Sequence, residues 1–295
     1  MCEKLIASTC RVLIDFGYSA YHCQGTRACF NVIARHGREL LLIKILENID
    51  GMLPEQAKEL HKIAKMLGAK ALVVGKRTKG AHLRDGVLYE RYGFPCFSPG
   101  SFEAMVRDGE YPEVRQFKRL TVSIDGQRLS KMRRSLGLSL SQLSALTNIS
   151  RETLYRYEHE KVEATEENAD KLEQLMGTRL RKPVELFHAA PESFHERTLL
   201  SFIGFESVKT RAAPFDILAR EKAKLIAGEE ADRRTMRKRA RMYGRISEMF
   251  DSSSCFILSK SAKDTVDGIP VVRKEELKEF RKPRELFKLI EERKE

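Results

Sequence analysis

The sequence predicts a mixed α/β and all-α chain, with a central five-helix domain set between two related α/β lobes. Three observations carry this reading. Residues 125–178 place apolar side chains at helical spacing between helix-capping residues, and the flanking stretches repeat short apolar segments in the same order. Pro112, Pro183 and Pro191, each with polar neighbours, separate the flanks from the centre. The expected boundaries are an N-terminal lobe over 1–110, a linker over 111–124, the helical domain over 125–178, a second linker over 179–194, and a C-terminal lobe with a docking helix over 195–295.

Composition bounds the options. A chain of 295 residues with 42% hydrophobic content can bury a core in each of two or three domains. No apolar run approaches membrane-spanning length, and Met1-Cys2-Glu3-Lys4-Leu5 opens no signal peptide, so a cytoplasmic location without membrane contact is expected. The six cysteines, Cys2, Cys10, Cys23, Cys29, Cys96 and Cys255, form no Cys-x-x-Cys pair. They read as core fillers, so neither a metal site nor a cofactor is expected; a redox input through Cys23 or Cys29 is left open.

In the centre, Asp125 can cap a helix in which Leu129, Met132, Arg133 and Leu136 recur at helical spacing before Gly137 ends it. Ser139 caps a second helix with Leu143 and Leu146 turned inward, and Asn148 tolerates the left-handed backbone of the tight turn that follows. Ile149 plugs the corner. Ser150 opens a third helix, about 150–159, whose Leu154 packs inward while Arg151, Glu152, Tyr155 and Arg156 lie on the outer face.

From Gly137 to Lys161 this stretch resembles, without a gap, the Cro and phage-repressor helix-turn-helix family. The resemblance implies that the third helix enters the major groove of double-stranded DNA. Arg151, Glu152 and Arg156 would touch base edges, with Ser150 and Thr153 near phosphate and Gln142 and Tyr155 among the contacting side chains. It also implies a structural ion pair between Arg133 and Glu158. The chain departs from the family in having Leu140 where a glutamine usually opens the second helix, and Ser144, Asn148 and Glu160 at further positions.

The formal charge of +12 lies outside this module. Between Gln127 and Gly177 eight basic side chains balance eight acidic ones; residues 1–125 carry nineteen against fourteen, and 178–295 carry twenty-seven against twenty. Attraction to phosphate must then come largely from the flanks, or the surplus is a solvated surface.

The flanks read as two copies of one unit. Phe30-Asn31-Val32-Ile33-Ala34-Arg35 aligns with Phe215-Asp216-Ile217-Leu218-Ala219-Arg220, Ala71-Leu72-Val73-Val74 with Cys255-Phe256-Ile257-Leu258, and Gly93-Phe94-Pro95 with Gly268-Ile269-Pro270. The first copy is expected as a helix over 3–16, strands near Ala20, over 28–35 and over 40–45, a helix over 54–67 and a buried strand over 71–74. This order resembles the restriction-endonuclease-like fold of Holliday-junction resolvases. That resemblance implies a Mg²⁺ site built from an Asp on one strand and a Glu-x-Lys on the next. The first copy has Asn31 at the Asp position and Leu42-Ile43-Lys44 at the Glu-x-Lys, and the second has Asp216 with Leu225-Ile226-Ala227. Neither copy keeps a full set, so both are read as scaffolds without catalytic residues, with Lys44 open to being a solvated edge residue.

Over 232–250, Arg233, Arg234, Arg237, Lys238, Arg241 and Arg245 fall on one helical face of roughly 140° at about 100° per residue, with Arg239 off it. Met236, Ala240, Tyr243, Ile246 and Phe250 line the other side. These cations are candidate phosphate contacts; a solvated helix is the alternative. The terminal run 281–295 alternates charge around Leu286, Phe287, Leu289 and Ile290, as a docking helix does.

The chain most closely resembles archaeal Cro-type helix-turn-helix regulators with large flanking lobes. The expectation is a sequence-specific transcriptional regulator, not an enzyme, that binds double-stranded DNA as a homodimer, with an effector ligand left open. The alternatives are a structure-specific nuclease or nuclease-derived DNA scaffold, and an antitoxin-like protein-binding module.

Overall fold

The structure is a computed structural model that describes residues 2–23, 28–116, 120–182 and 197–294, apart from the Cys2 side chain. Residues 183–194 of the second expected linker, with Pro183 and Pro191, and the start of the last lobe at His195 lie outside the described residues. In chain order the elements are α1 (Cys2–Asp15), β1 (Ser19–His22), β2 (Val32–His36), β3 (Glu39–Asn48), α2 (Pro54–Leu67), β4 (Lys70–Arg77), β5 (Val87–Arg91), β6 (Phe94–Phe97) and α3 (Pro99–Asp108). There follow β7 (Val114–Gln116), β8 (Leu120–Val122), α4 (Gly126–Ser135), α5 (Leu140–Thr147), α6 (Arg151–Glu158), β9 (Ala164–Thr165) and α7 (Glu166–Met176). The last part holds β10 (Glu206–Lys209), β11 (Ile217–Arg220), β12 (Lys224–Gly228), α8 (Arg233–Phe250), β13 (Ser252–Leu258), β14 (Thr265–Val266), β15 (Ile269–Arg273), α9 (Lys274–Glu279) and α10 (Pro283–Glu292).

The chain divides into two compact units, residues 1–47, 51–73 and 187–295 in one and 48–50 and 74–186 in the other. The first unit holds strands β1 to β3 and the separate sheet of β10 to β15. In one, β1, β2 and β3 run antiparallel, with Val32 opposite Ile43 and Arg35 opposite Leu40. In the other, the order is β10-β11-β12-β13-β15-β14, with β10 to β12 antiparallel and β12, β13 and β15 parallel. Strand β3 is buried on both faces from Leu40 to Ile45, which is why its sequence is a continuous apolar run. The second strand of the first copy starts later than expected, at Val32, because Asn31 uses its backbone N–H to reach the Ile43 carbonyl and its side chain to accept from the Ile45 N–H.

The two copies match in detail. The hairpin at Tyr92–Gly93 and the one at Asp267–Gly268 both have positive φ at both central residues, the geometry that joins twisted antiparallel strands with two residues. Within the first unit the copies also interlock by exchange. Helix α8 packs on β12 and β13 of its own sheet and on β1 and β2 of the other, while α2 reaches β11. The Arg35 guanidinium donates to the Met249 carbonyl at the end of α8 at 3.0 Å, and Arg220, its counterpart, donates to the Met66 carbonyl near the end of α2 at 3.2 Å. Glu59 of α2 accepts from the N–H groups of Arg211 and Ala212, and the Cys29 N–H donates to the Ala212 carbonyl.

In the second unit β5 pairs antiparallel with β6 and parallel with β7, and β7, β8 and β9 continue antiparallel. Residues 111–124, expected as a linker, thus carry two strands, because Val114 and Val122 alternate with polar neighbours and are buried. Among the described residues of 125–178 there are four helices, α4 to α7, not five. After α6, Glu160 takes a left-handed conformation (φ 53°) and the chain straightens into β9 against β8, so the stretch that would hold another helix is extended.

The end of the second lobe is closed by α10, whose Leu286 and Ile290 are fully buried against the same core as Ile257 and Val272. Glu276 of α9 ties this corner together, accepting from Arg293 at 2.6 and 3.0 Å and from the Arg273 side chain and backbone at 2.8 and 2.7 Å. The Arg293 hydrogen bonds, with those of Arg273, hold its carboxyl down to about 2. A carboxylate whose folded pKa is depressed stabilises above its unfolded value, near 4.5, and loses that stabilisation as pH falls toward 2. Glu276→Gln is therefore expected to lower the thermal midpoint at pH 7, with the gap to the unmodified protein closing between pH 4.5 and 2 in a melting series.

Candidate nucleic-acid interface

The helix-turn-helix is built from its caps. The Ser139 hydroxyl accepts from the Gln142 N–H while the Gln142 side-chain oxygen accepts from the Ser139 N–H, closing a capping box at the start of α5. Asn148 ends α5 in the left-handed region (φ 56°), Ile149 is buried, and the Ser150 hydroxyl accepts from the Thr153 N–H to start α6. The second helix differs from expectation in one side chain. Leu143 and Thr147 are the buried pair, the Thr147 hydroxyl donating to the Leu143 carbonyl, so Leu146 is turned out and 60% exposed. Helix α4 differs likewise: Leu129 is buried, Met132 is half-buried, and Leu136, which caps the helix end, is exposed.

Helix α6 is held by its inner face. Leu154 and Tyr157 are buried, and the Tyr157 hydroxyl accepts from the Asn168 side chain of α7. Arg133 of α4 meets Glu158 in a two-pronged pair, with Nε to Oε1 at 2.6 Å and Nη2 to Oε2 at 3.0 Å, while its third nitrogen donates to the Leu138 carbonyl at 2.7 Å. The side chains are only 11% and 5% exposed, and the Glu158 carboxylate raises the Arg133 pKa above its usual range. With that face fixed, Arg151, Glu152, Tyr155 and Arg156 are all exposed together on the other, and Thr153 sits half-buried beside Ser150. Tyr155 lies against His159, ring centroids 4.0 Å apart, with the Lys161 ammonium 5.3 Å from its ring. Gln142 is exposed, but its side-chain oxygen is engaged in the capping box.

On α8 the side chains of Arg233, Arg234, Arg237, Lys238, Arg241 and Arg245 are exposed, and Ala240, Met242, Tyr243, Ile246, Met249 and Phe250 are buried. Arg239 turns away from the exposed row to pair with Asp216 at 2.7 Å.

That pair decides how a divalent metal would fare at the nuclease-like positions. One Asp216 oxygen accepts from both Arg239 and the Glu229 N–H. The β11–β12 hairpin is one residue shorter than β2–β3: Ile217 faces Ala227 where Val32 faces Ile43. The Glu-x-Lys positions of the second copy are therefore Ile226-Ala227-Gly228, one residue beyond the expected Leu225-Ile226-Ala227. At Gly228, the counterpart of Lys44, a side chain would collide with the Tyr243 hydroxyl. In the first copy Asn31 bonds to the backbone, and Lys44 is buried at 6% exposure, not solvated, with its ammonium donating to the Ala28 carbonyl at 2.8 Å. A guanidinium held on the Asp216 carboxylate, with the nearby Glu229 carboxylate paired to Lys209, does not fit a hard cation. Among the described residues no group of three or more His, Cys, Asp or Glu is placed to hold a metal. The thiols of Cys23, Cys96 and Cys255 are pushed up to about 12 by burial, and that of Cys29 higher still, which suppresses thiolate chemistry. No helix of the described residues is long and apolar enough to cross a membrane.

Fold and site together define a helix-turn-helix protein with a nuclease-like α/β region and a second α/β sheet. Residues 129–182 match the helix-turn-helix family and residues 2–112 the PD-(D/E)XK superfamily domain. A "Putative HTH-type transcriptional regulatory protein" of Methanothermobacter thermautotrophicus is 34% identical over 99% of this chain and 97% of its own length. One of the same name from Thermococcus gammatolerans is 33% identical over 98% and 96%. The chain belongs to this family of archaeal proteins. A Holliday junction resolvase of Archaeoglobus fulgidus is 21% identical over 27% of this chain and 67% of that one, with a TM-score of 0.22.

The Arg133–Glu158 pair carries a stability prediction. Removing one member of a buried pair leaves the other charge without its partner, so Arg133→Ala is expected to cost about 3–5 kcal/mol. Replacing both by apolar residues should cost clearly less than the sum of the single changes, as read by a denaturant double-mutant cycle.

Proposed function

We propose that the protein is a sequence-specific regulator of transcription that lays α6 in the major groove of double-stranded DNA. The observation that carries the reading is the one-sided presentation of α6. Leu154, Tyr157 and Glu158 anchor it, and Arg151, Glu152 and Arg156 are exposed for base edges, with Tyr155 beside them and Ser150 and Thr153 at its start for phosphate. Family membership supports it through the names of the relatives. A single recognition helix spans few base pairs, so the protein acts as a homodimer on a two-fold site with half-sites about 34–36 Å apart. The module occupies about 125–178, and the lobes supply the dimer contact. The protein works in the cytoplasm, and the lobes are scaffolds without nuclease chemistry.

Arg151→Ala and Arg156→Ala are each expected to lower specific binding by roughly 1–3 kcal/mol per lost two-pronged base contact in a footprinting titration on genomically selected sites. Unchanged protection would remove α6 from the groove. With Mg²⁺ or Mn²⁺, linear duplex and four-way junctions are expected to stay intact. Cleavage that Asp216→Ala abolishes would overturn the scaffold reading.

A further inference from the structure

We propose that the exposed face of α8 is a second duplex-DNA surface, one that grips backbone phosphates without reading sequence. At about 100° per residue, Arg234, Lys238, Arg241 and Arg245 fall within roughly 60° of one another, a narrow ridge along the helix. From Arg234 to Arg245 the ridge runs about 17 Å at 1.5 Å per residue, which matches about five base-pair steps of 3.4 Å. Arg233 and Arg237 widen it on one side, and all six side chains are exposed.

The ridge works against the helix that carries it. Like charges four residues apart, as in Arg234 and Lys238 or Arg241 and Arg245, destabilise a helix by a few tenths of a kcal/mol per pair. Arg233 and Arg234 also sit in the first turn, where the helix dipole disfavours cations. Acidic neighbours do little to offset this. Arg237 approaches Asp267 at 3.8 Å and Arg245 approaches Glu248 at 3.4 Å, while Arg233, Arg234, Lys238 and Arg241 have no ion pair among the described residues. Elsewhere in the chain basic side chains are commonly paired, as at Arg273 and Arg293, which flank α9 and α10. A charge pattern without an internal counterpart points to an external polyanion. Five of the six cations are arginine, whose planar fork binds phosphate oxygens in pairs.

Duplex DNA fits better than an anionic membrane. A helix that lies on a membrane inserts an apolar face, and the apolar face of α8 is already spent between two sheets. That same packing makes the ridge a rigid platform. The inference rests on the proposed function only in that both concern DNA, and the two are separable by experiment.

The test uses the full chain with Arg234, Lys238, Arg241 and Arg245 changed together to Gln, titrated by fluorescence anisotropy on a selected duplex and a scrambled one from 50 to 300 mM KCl. Each lost phosphate contact removes about 0.9 from the slope of log affinity against log salt, so the slope is expected to fall by about 3–4 on both duplexes. Between 50 and 200 mM the unmodified protein then loses about a hundredfold more affinity than the variant, while the preference for the selected duplex is kept. Arg151→Ala is expected to do the reverse, losing preference and leaving the slope within about one. A variant with the same four positions as Lys should keep the slope. A slope within one of the unmodified protein overturns the proposal. So does an equal drop on neutralising Arg281, Lys282, Arg284 and Lys288 instead, which would assign the effect to net charge. Binding to anionic phospholipid vesicles that only the Gln variant loses, with DNA slopes unchanged, also overturns it. A thermal midpoint no lower than that of the unmodified protein shows that the variant is folded.

Discussion

The backbone groups at a helix end have no partner within the helix, and how this chain satisfies them organises much of both units. At the start of α5 and α6 the partners are local, the hydroxyls of Ser139 and Ser150. At the C-terminal ends of α2 and α8 local N–H groups of Gly68, Ala69 and Asp251 take some of the carbonyls, and each helix also gives a last-turn carbonyl to an arginine from the opposite copy, Arg220 for α2 and Arg35 for α8. These arginines occupy the same position in the two repeats. The consequence is that the first unit is stitched by a reciprocal pair of long-range bonds that neither copy could make alone.

This difference between local and long-range partners also decides what was legible in the sequence. Caps are local, so Asp125, Ser139, Asn148 and Ser150 could be read directly, and the helices they bound appear where the spacing puts them. The Arg133–Glu158 geometry follows from positions on two helices of one motif. What depends on a distant partner was harder to see. Leu146 and Thr147 compete for the same inward position, three and four residues after Leu143, and only the packed module shows that the threonine takes it, because its hydroxyl can bond to the Leu143 carbonyl. The strand β9 exists because β8 offers it an edge, and residues 159–165 carry no strong period of their own. Lys44 looked like an edge residue; burial became tolerable because the Ala28 carbonyl lies within 2.8 Å.

On the proposed function, the neutral helix-turn-helix and the basic flanks would divide labour along physical lines. A module with balanced charge can keep short-range contacts from α6 as its main source of discrimination, since little nonspecific attraction competes with them. A separate cationic ridge can then supply affinity that is insensitive to sequence. The two contributions respond differently to salt because released counterions accompany phosphate contacts far more than base contacts.

Arg239 links this proposed division to the packing of the lobe. It belongs to the arginine-rich run of α8, yet it alone points inward, onto the carboxylate that a nuclease of this fold would give to a metal. Once that carboxylate is held by a guanidinium and by the Glu229 N–H, and Gly228 leaves its space to the Tyr243 ring, the inner side of α8 is fully committed to packing. Such a helix has only its outer side left for a partner. A metal there would need Asp216 free, and freeing it would leave Arg239 as a half-buried cation without a counter-charge. The same ion pair therefore both occupies the Asp216 carboxylate and holds in place the helix whose outer face carries the exposed charge.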